Sequence, residues 1–199
     1  MMRTMTRTPL ARLAACLAGA ALVVAATPAL ASAADYKHTD ASRDAIVERM
    51  DAASKARVDR REASVDIRTV RVSHTASHVV VKVRTRAAMP AGRFFLIASL
   101  RVPGGRSYEL EHIKMLGTTH SQVSTNDEKV ECAGYRADID RGRRLATLVV
   151  PTTCLGDPAW VRAGVGVARF AQKRMWADDG LSNHRVGDSL RYSPRIARG

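Results

Sequence analysis

The sequence predicts an all-β fold, an antiparallel β-sandwich of about eight strands with a short N-terminal helix and one disulfide. Three observations carry that expectation. In HVVVKVRTR, Val79, Val81, Val83 and Thr85 alternate with Lys82, Arg84 and Arg86, the period of a strand buried on one face. Short apolar runs of this kind recur along the chain, separated by turn signals such as Pro103-Gly104-Gly105 and Asp140-Arg141-Gly142. Cys132 and Cys154 bracket one such pair of runs, so a hairpin between them would bring the two thiols to the same end. Closure of the strands into a barrel is the alternative arrangement.

The first segment stands outside that fold. Arg3, Arg7 and Arg12 precede an apolar run from Leu13 to Ala26, and Pro28 and Ala31-Ser32-Ala33 follow. This is the order of a secretory signal peptide spanning residues 1–33, with cleavage between Ala33 and Ala34. Leu13-Ala14-Ala15-Cys16 looks like a lipidation box, but a lipidated cysteine closes the apolar region and Cys16 opens it. The run is also short for a membrane span, which takes about 20 apolar residues. A soluble, secreted, extracellular protein is therefore expected, with enough chain left to bury one core.

Two cysteines remain after cleavage, and in an oxidising compartment such a pair reads as a disulfide, Cys132 to Cys154. The loop it closes is worth about 3 kcal/mol by chain-entropy reasoning. Neither cysteine has a second Cys or His at zinc-finger spacing.

Residues 34–64 read as an N-terminal helix or linker, and 65–199 as the sandwich with a polar C-terminal tail. Within DASRDAIVERMDAASKARVDRRE, Asp40 or Ser42 can cap a helix whose Ile46, Val47 and Met50 share one face. From Val65 the period changes to two. Val65 and Ile67 lie in one phase and Val70 and Val72 in the other, which predicts a bulge near Thr69. A short polar link at Thr75 and Ala76 then makes a hairpin with HVVVKVRTR. RFFLIASLRV is a nearly continuous apolar run, the mark of a central strand, and SYELEHIKM is its partner. Residues 117–128 read as a polar loop with at most one short strand. KVECAGYRADID and RRLATLVVPTTC form the cysteine hairpin, and AWVRAGVGVARF places Val161, Ala163, Val165 and Val167 on one face. Gly164 and Gly166 inside that strand call for close packing against the opposite sheet or Trp160.

Three stretches, CLGDPAWVRAGVGV (Cys154 to Val167), DIRTVRVSHTASHVVVKVRTR (Asp66 to Arg86) and YSPRIARG (Tyr192 to Gly199), resemble small secreted actinobacterial proteins with a Cys-Leu-Gly-x-Pro turn. The likeness runs from about Asp59 onward. It implies a β-sandwich with a Cys132–Cys154 bond, and no established activity comes with it.

Basic residues number 32 against 19 acids, and the signal segment carries only three of the bases, so the mature chain keeps a strong positive excess. Such an excess favours polyanions. Arg68, Arg71, Lys82, Arg84 and Arg86 form the best candidate anion-binding stripe, because like charges on adjacent strands repel unless something holds them. Edge protection against aggregation is the competing use of such residues. Aromatic residues make up only 5% of the chain and are scattered, which argues against stacking on single-stranded nucleic acid.

Other groupings read as structural. His74 and His78 flank a turn without a third metal ligand nearby. Asp178, Asp179 and Asn183 offer oxygens around a glycine but lack an EF-hand's spacing and closing glutamate. Asp138 and Asp140 are expected to pair with Arg136, Arg141 and Arg143. No Gly-x-Ser-x-Gly elbow or glycine-rich phosphate loop occurs, and the histidines sit in ordinary polar contexts. The expectation is a monomeric, non-catalytic binding protein with no cofactor or resident metal, whose partner is an envelope polymer or acidic polysaccharide. A secreted protease or enzyme inhibitor presenting the Gly117 to Glu128 loop is the alternative.

Overall fold

A computed structural model of the chain describes residues 34–51, 55–126, 128–183, 187 and 189–199. The expected signal segment through Ala33 lies outside the described residues, and Ala34 opens the first strand. The fold is all-β, built from two antiparallel sheets of five and nine strands. Among the described residues the edge strands of neither sheet pair with each other.

The five-stranded sheet runs β1 (Ala34–Thr39), β4 (Ile67–His74), β5 (His78–Thr85), β11 (Leu145–Pro151), β10 (Arg136–Asp140). β4 and β5 form the expected hairpin, and the register shifts between Ile67 and Thr69, leaving Arg68 as the bulged residue. The bulge turns Ile67 and Val70 to the same side, and both are fully buried with Val72, Val79, Val81 and Val83.

The nine-stranded sheet runs β3 (Arg57–Val58), β2 (Ile46–Arg49), β13 (Arg174–Asp179), β12 (Trp160–Ala171), β6 (Phe94–Arg101), β7 (Ser107–Met115), β8 (Thr118–Thr125), β9 (Glu128–Val130), with β14 (Ile196–Ala197) on the far end of β12. Its inward side chains, among them Leu96, Leu100, Leu110, Val161 and Val165, join those of the smaller sheet in one core. Two short 3-10 turns, Pro103–Gly105 and Thr152–Leu155, complete the regular structure. No helix among the described residues is long and apolar enough to cross a membrane.

β10 and β11 pair from Arg136 opposite Val149 to Asp140 opposite Leu145, and the cysteines meet beyond their open end. The Cys132–Cys154 disulfide has a Cα separation of 5.5 Å. It ties the crossing from β9 to β10, where the chain passes between sheets, to the turn after β11.

Several expectations are corrected. The helix over residues 40–62 does not form. Ile46–Arg49 is a strand between β13 and β3, and Met50, meant for the helix's apolar face, is 61% exposed. Among the described residues of 34–64, β1 lies in the five-stranded sheet and β2 and β3 in the nine-stranded one. The segment 117–128, expected as a polar loop, is mostly β8, paired to β7 and β9. KVECAGYRADID divides into β9 and β10, in different sheets, across Gly134 at φ +94°. The polar tail contributes β13 and β14. Gly164 does pack closely, but against the chain's own C-terminal segment: a Cβ there would meet the Arg191 carbonyl oxygen at 2.8 Å.

Candidate functional site

The alternation of β5 sends Lys82 and Arg84 outward, and the antiparallel register decides their neighbours. Lys82 stands opposite Arg71 on β4, and Arg71 opposite Lys37 on β1. All three are exposed, a row of three positive charges across three strands. Each directly opposed pair of like charges costs a few tenths to about 1 kcal/mol.

The other three residues of the predicted stripe turn toward a concavity at the end of the same sheet. Arg68, Arg84 and Arg86 line it with Arg143 and Arg144 from the β10–β11 turn, over a volume of about 550 Å³. Thr85 and Gly142 complete its wall. Five arginines line this one place because three structural accidents coincide: the bulge at Arg68, the end of β5, and a turn in which Arg144 adopts φ +58°.

Backbone carbonyls hold most of these arginines in place. Arg84 Nη1 donates to the Arg143 carbonyl at 2.8 Å, and Arg144 Nη1 to that of Arg86 at 3.0 Å. Arg68 Nη1 donates to the Asp40 carbonyl at 3.2 Å. A guanidinium has five N–H donors, so a single bond to the protein orients the group and leaves most of its donors for a ligand. Arg86 is more committed. Its Nε donates to Asp66 Oδ2 at 2.8 Å, and its Nη2 donates to the carbonyls of Arg60 and Glu62. Among the described residues two carboxylates answer the five arginines, Asp66 through Arg86 and the half-exposed Asp140, whose Oδ2 is 3.4 Å from Arg143 Nε. The cleft keeps a net positive charge, and no aromatic side chain lines it.

The predicted stripe is therefore divided. Arg71 and Lys82 lie on the open row, while Arg68, Arg84 and Arg86 belong to the cleft. Lys37, Arg143 and Arg144 were not anticipated as partners. The run Arg141-Gly142-Arg143-Arg144 was a visible signal, read only as salt bridging to Asp138 and Asp140.

His74 and His78 do not act together. His74 is fully buried, its Nδ1 3.1 Å from the Ile196 carbonyl, and burial lowers its pKa. His78 Nδ1 is 2.8 Å from Ser77 Oγ at the turn. Asp178, Asp179 and Asn183 also separate. Asn183 is exposed, whereas Asp179 accepts the backbone N–H groups of Leu181 and Arg191 at 3.1 and 2.9 Å.

Asp178 faces inward instead, accepting the Ile67 N–H at 2.7 Å. There it meets Asp40 and Asp44, and one oxygen of each lies within 4.8 Å of the others. Burial first, then the neighbouring Asp44, raises the Asp40 carboxyl to about 7 against the opposing pull of the nearby Ala41 backbone N–H. Burial raises Asp178 to about 8, partly offset by the Ile67 bond and reinforced by Asp40, Asp44 and Asp66.

A second concavity, of about 420 Å³, lies on the outer face of the nine-stranded sheet between Phe95, Ile97, Met175 and Leu190. It is mostly apolar and lies apart from the arginines.

No protein-family model, curated protein or solved structure matches the chain.

Proposed function

We propose that this is a secreted, monomeric, non-catalytic β-sandwich protein that binds an anionic extracellular or envelope polymer. The Arg68, Arg84, Arg86, Arg143 and Arg144 cleft is the principal contact, and the Lys37–Arg71–Lys82 row continues it along the strand face. The observation that carries this reading is one concavity lined by five arginines, answered among the described residues by two carboxylates. Arginine is suited to the task because its planar fork binds phosphate, sulfate and carboxylate groups through paired hydrogen bonds. The open row adds charge without shape, which suits an extended chain of repeating anions.

The absence of aromatic lining favours electrostatic contact with charged groups over stacking on sugars or bases. Extracellular location is supported by the order of residues in the first segment. A disulfide is also at home in an oxidising compartment.

Retention on immobilised heparin and on inorganic polyphosphate tests the proposal. The wild type should bind both and elute with rising salt. Replacing Arg84, Arg143 and Arg144 together by Ala should weaken binding about tenfold or more, because three positioned contacts are lost. Unchanged affinity in that triple variant would overturn the assignment of the cleft.

A further inference from the structure

Three segments far apart in sequence bring four carboxylates to one buried place. Asp40 follows β1, Asp44 precedes β2, Asp66 precedes β4, and Asp178 lies on β13. Their exposures are 3%, 1%, 0% and 2%. Concentrating acids away from water is costly unless positive charge or hydrogen-bond donors answer them.

The answer within the protein is incomplete. Asp66 Oδ2 accepts the Arg43 N–H at 2.7 Å and Arg86 Nε at 2.8 Å, and Asp178 Oδ2 is bonded to Ile67. Neither oxygen of Asp40 has a hydrogen-bond partner among the described residues, nor has Asp66 Oδ1. The nearest imidazole, His38, keeps its Nε2 3.9 Å from Asp40 Oδ1. Asp179 stands next to the group, but backbone N–H groups occupy both its oxygens. The unanswered oxygens are the independent sign that something else belongs there, since buried polar atoms without partners are rare.

The geometry points to a hard divalent cation, calcium in preference to magnesium, held by Asp40, Asp44 and Asp178 with Asp66 beside them. Magnesium keeps several of its waters and is usually held by one or two carboxylates, whereas calcium accepts a flexible cage of several protein carboxylates. One oxygen of each of the three carboxylates lies within 4.8 Å of the others, close enough to share one ion. The donors are all oxygen, which selects hard cations over zinc or copper. A bound ion would also clasp the end of β1, in the five-stranded sheet, to β13 in the nine-stranded one. This site is independent of the anion-binding proposal and could exist without it.

The test uses the full chain stripped of metal, then measured by equilibrium dialysis with calcium and by thermal unfolding in chelator, calcium, magnesium or zinc. One calcium per chain is expected. The melting temperature should rise by about 5–10 °C at a calcium concentration a hundredfold above Kd, and less in magnesium. Asp40→Asn keeps the shape and removes the charge, so it should fold at least as well in chelator and lose both binding and the shift. If Asp40→Asn does not fold, Asp178→Asn takes its place, with the same loss expected. No calcium uptake by the wild type, with equal melting in chelator and calcium, would overturn the site. So would a calcium response that survives both substitutions. An equal or larger response to magnesium or zinc would overturn the choice of ion.

Discussion

The arginine cleft and the buried carboxylate group are joined by one ion pair, Arg86 to Asp66, yet the two regions hold their charge under opposite conditions. In the cleft, like charges stand at the surface, where water screens them and backbone carbonyls orient them. In the carboxylate group, acids are buried together, and neither Asp40 oxygen has a hydrogen-bond partner among the described residues. The first arrangement costs the protein little and leaves donors for a large, loosely specified anion. The second is costly and leaves room for one small cation. Charge of either sign can thus serve binding, but burial decides how selective that binding is.

Cutting the link between the regions should have the largest effect. Arg86→Ala leaves Asp66, whose side chain is 0% exposed, answered among the described residues only by the Arg43 N–H. Because Arg86 itself is 26% exposed, a loss of about 3 kcal/mol in urea unfolding is expected, at the low end for a broken buried pair. A loss below about 1 kcal/mol would mean that water screens the pair as it does the cleft.

Glu62 sharpens the contrast, because it is a buried carboxylate with every partner present. Its Oε1 accepts from the Ala63 and Ser64 N–H groups and the Ser64 hydroxyl, and its Oε2 from Arg169. Burial pulls its pKa upward, but the Arg169 and Ser64 hydrogen bonds together outweigh that and hold it below 4.5. Glu62→Gln should cost about 2 kcal/mol at pH 7, equally in chelator and in calcium. The group is ionised in both native and unfolded chains at that pH, so its full contribution is present. As pH falls below 4.5 and through the lowered native value, the acid is neutralised and the gap between wild type and variant should close. A gap that persists after neutralisation would assign the effect to packing.

How much of this was legible follows from which contacts are local. The valines of β5 and the outward Lys82 and Arg84 were readable because alternation is a property of adjacent residues, and the bulge at Arg68 was readable as a break in that phase. The disulfide followed from a hairpin whose two strands are contiguous in sequence. The strand Ile46–Arg49 was misread because Ile46, Val47 and Met50 also fit a helical face, and pairing with distant β13 decides between the two. β13 itself was missed because its Asp178 and Asp179 look like surface residues and are buried. The carboxylate group draws on positions 40, 44, 66 and 178, for which no sequence spacing exists to be read.

A smaller effect should pass between the regions. A cation beside Asp66 adds positive charge behind Arg86, so calcium should raise affinity for heparin by up to about threefold, a coupling under 1 kcal/mol. Titration with and without chelator measures it. A change of tenfold or more would show that the regions act as one site.

The central claim is that the placement of the arginines, rather than the total charge of the chain, holds the anion. The direct measurement compares two triple variants that each remove three charges: Arg84, Arg143 and Arg144 to Ala in the cleft, and Lys55, Arg57 and Arg174 to Ala at a separate basic concavity around β2 and β3. Polyphosphate affinity is followed as a function of salt. The cleft variant should lose about tenfold in affinity and flatten the salt dependence by about two to three counterions, while the remote variant stays close to wild type. Equal losses in the two variants would contradict the account.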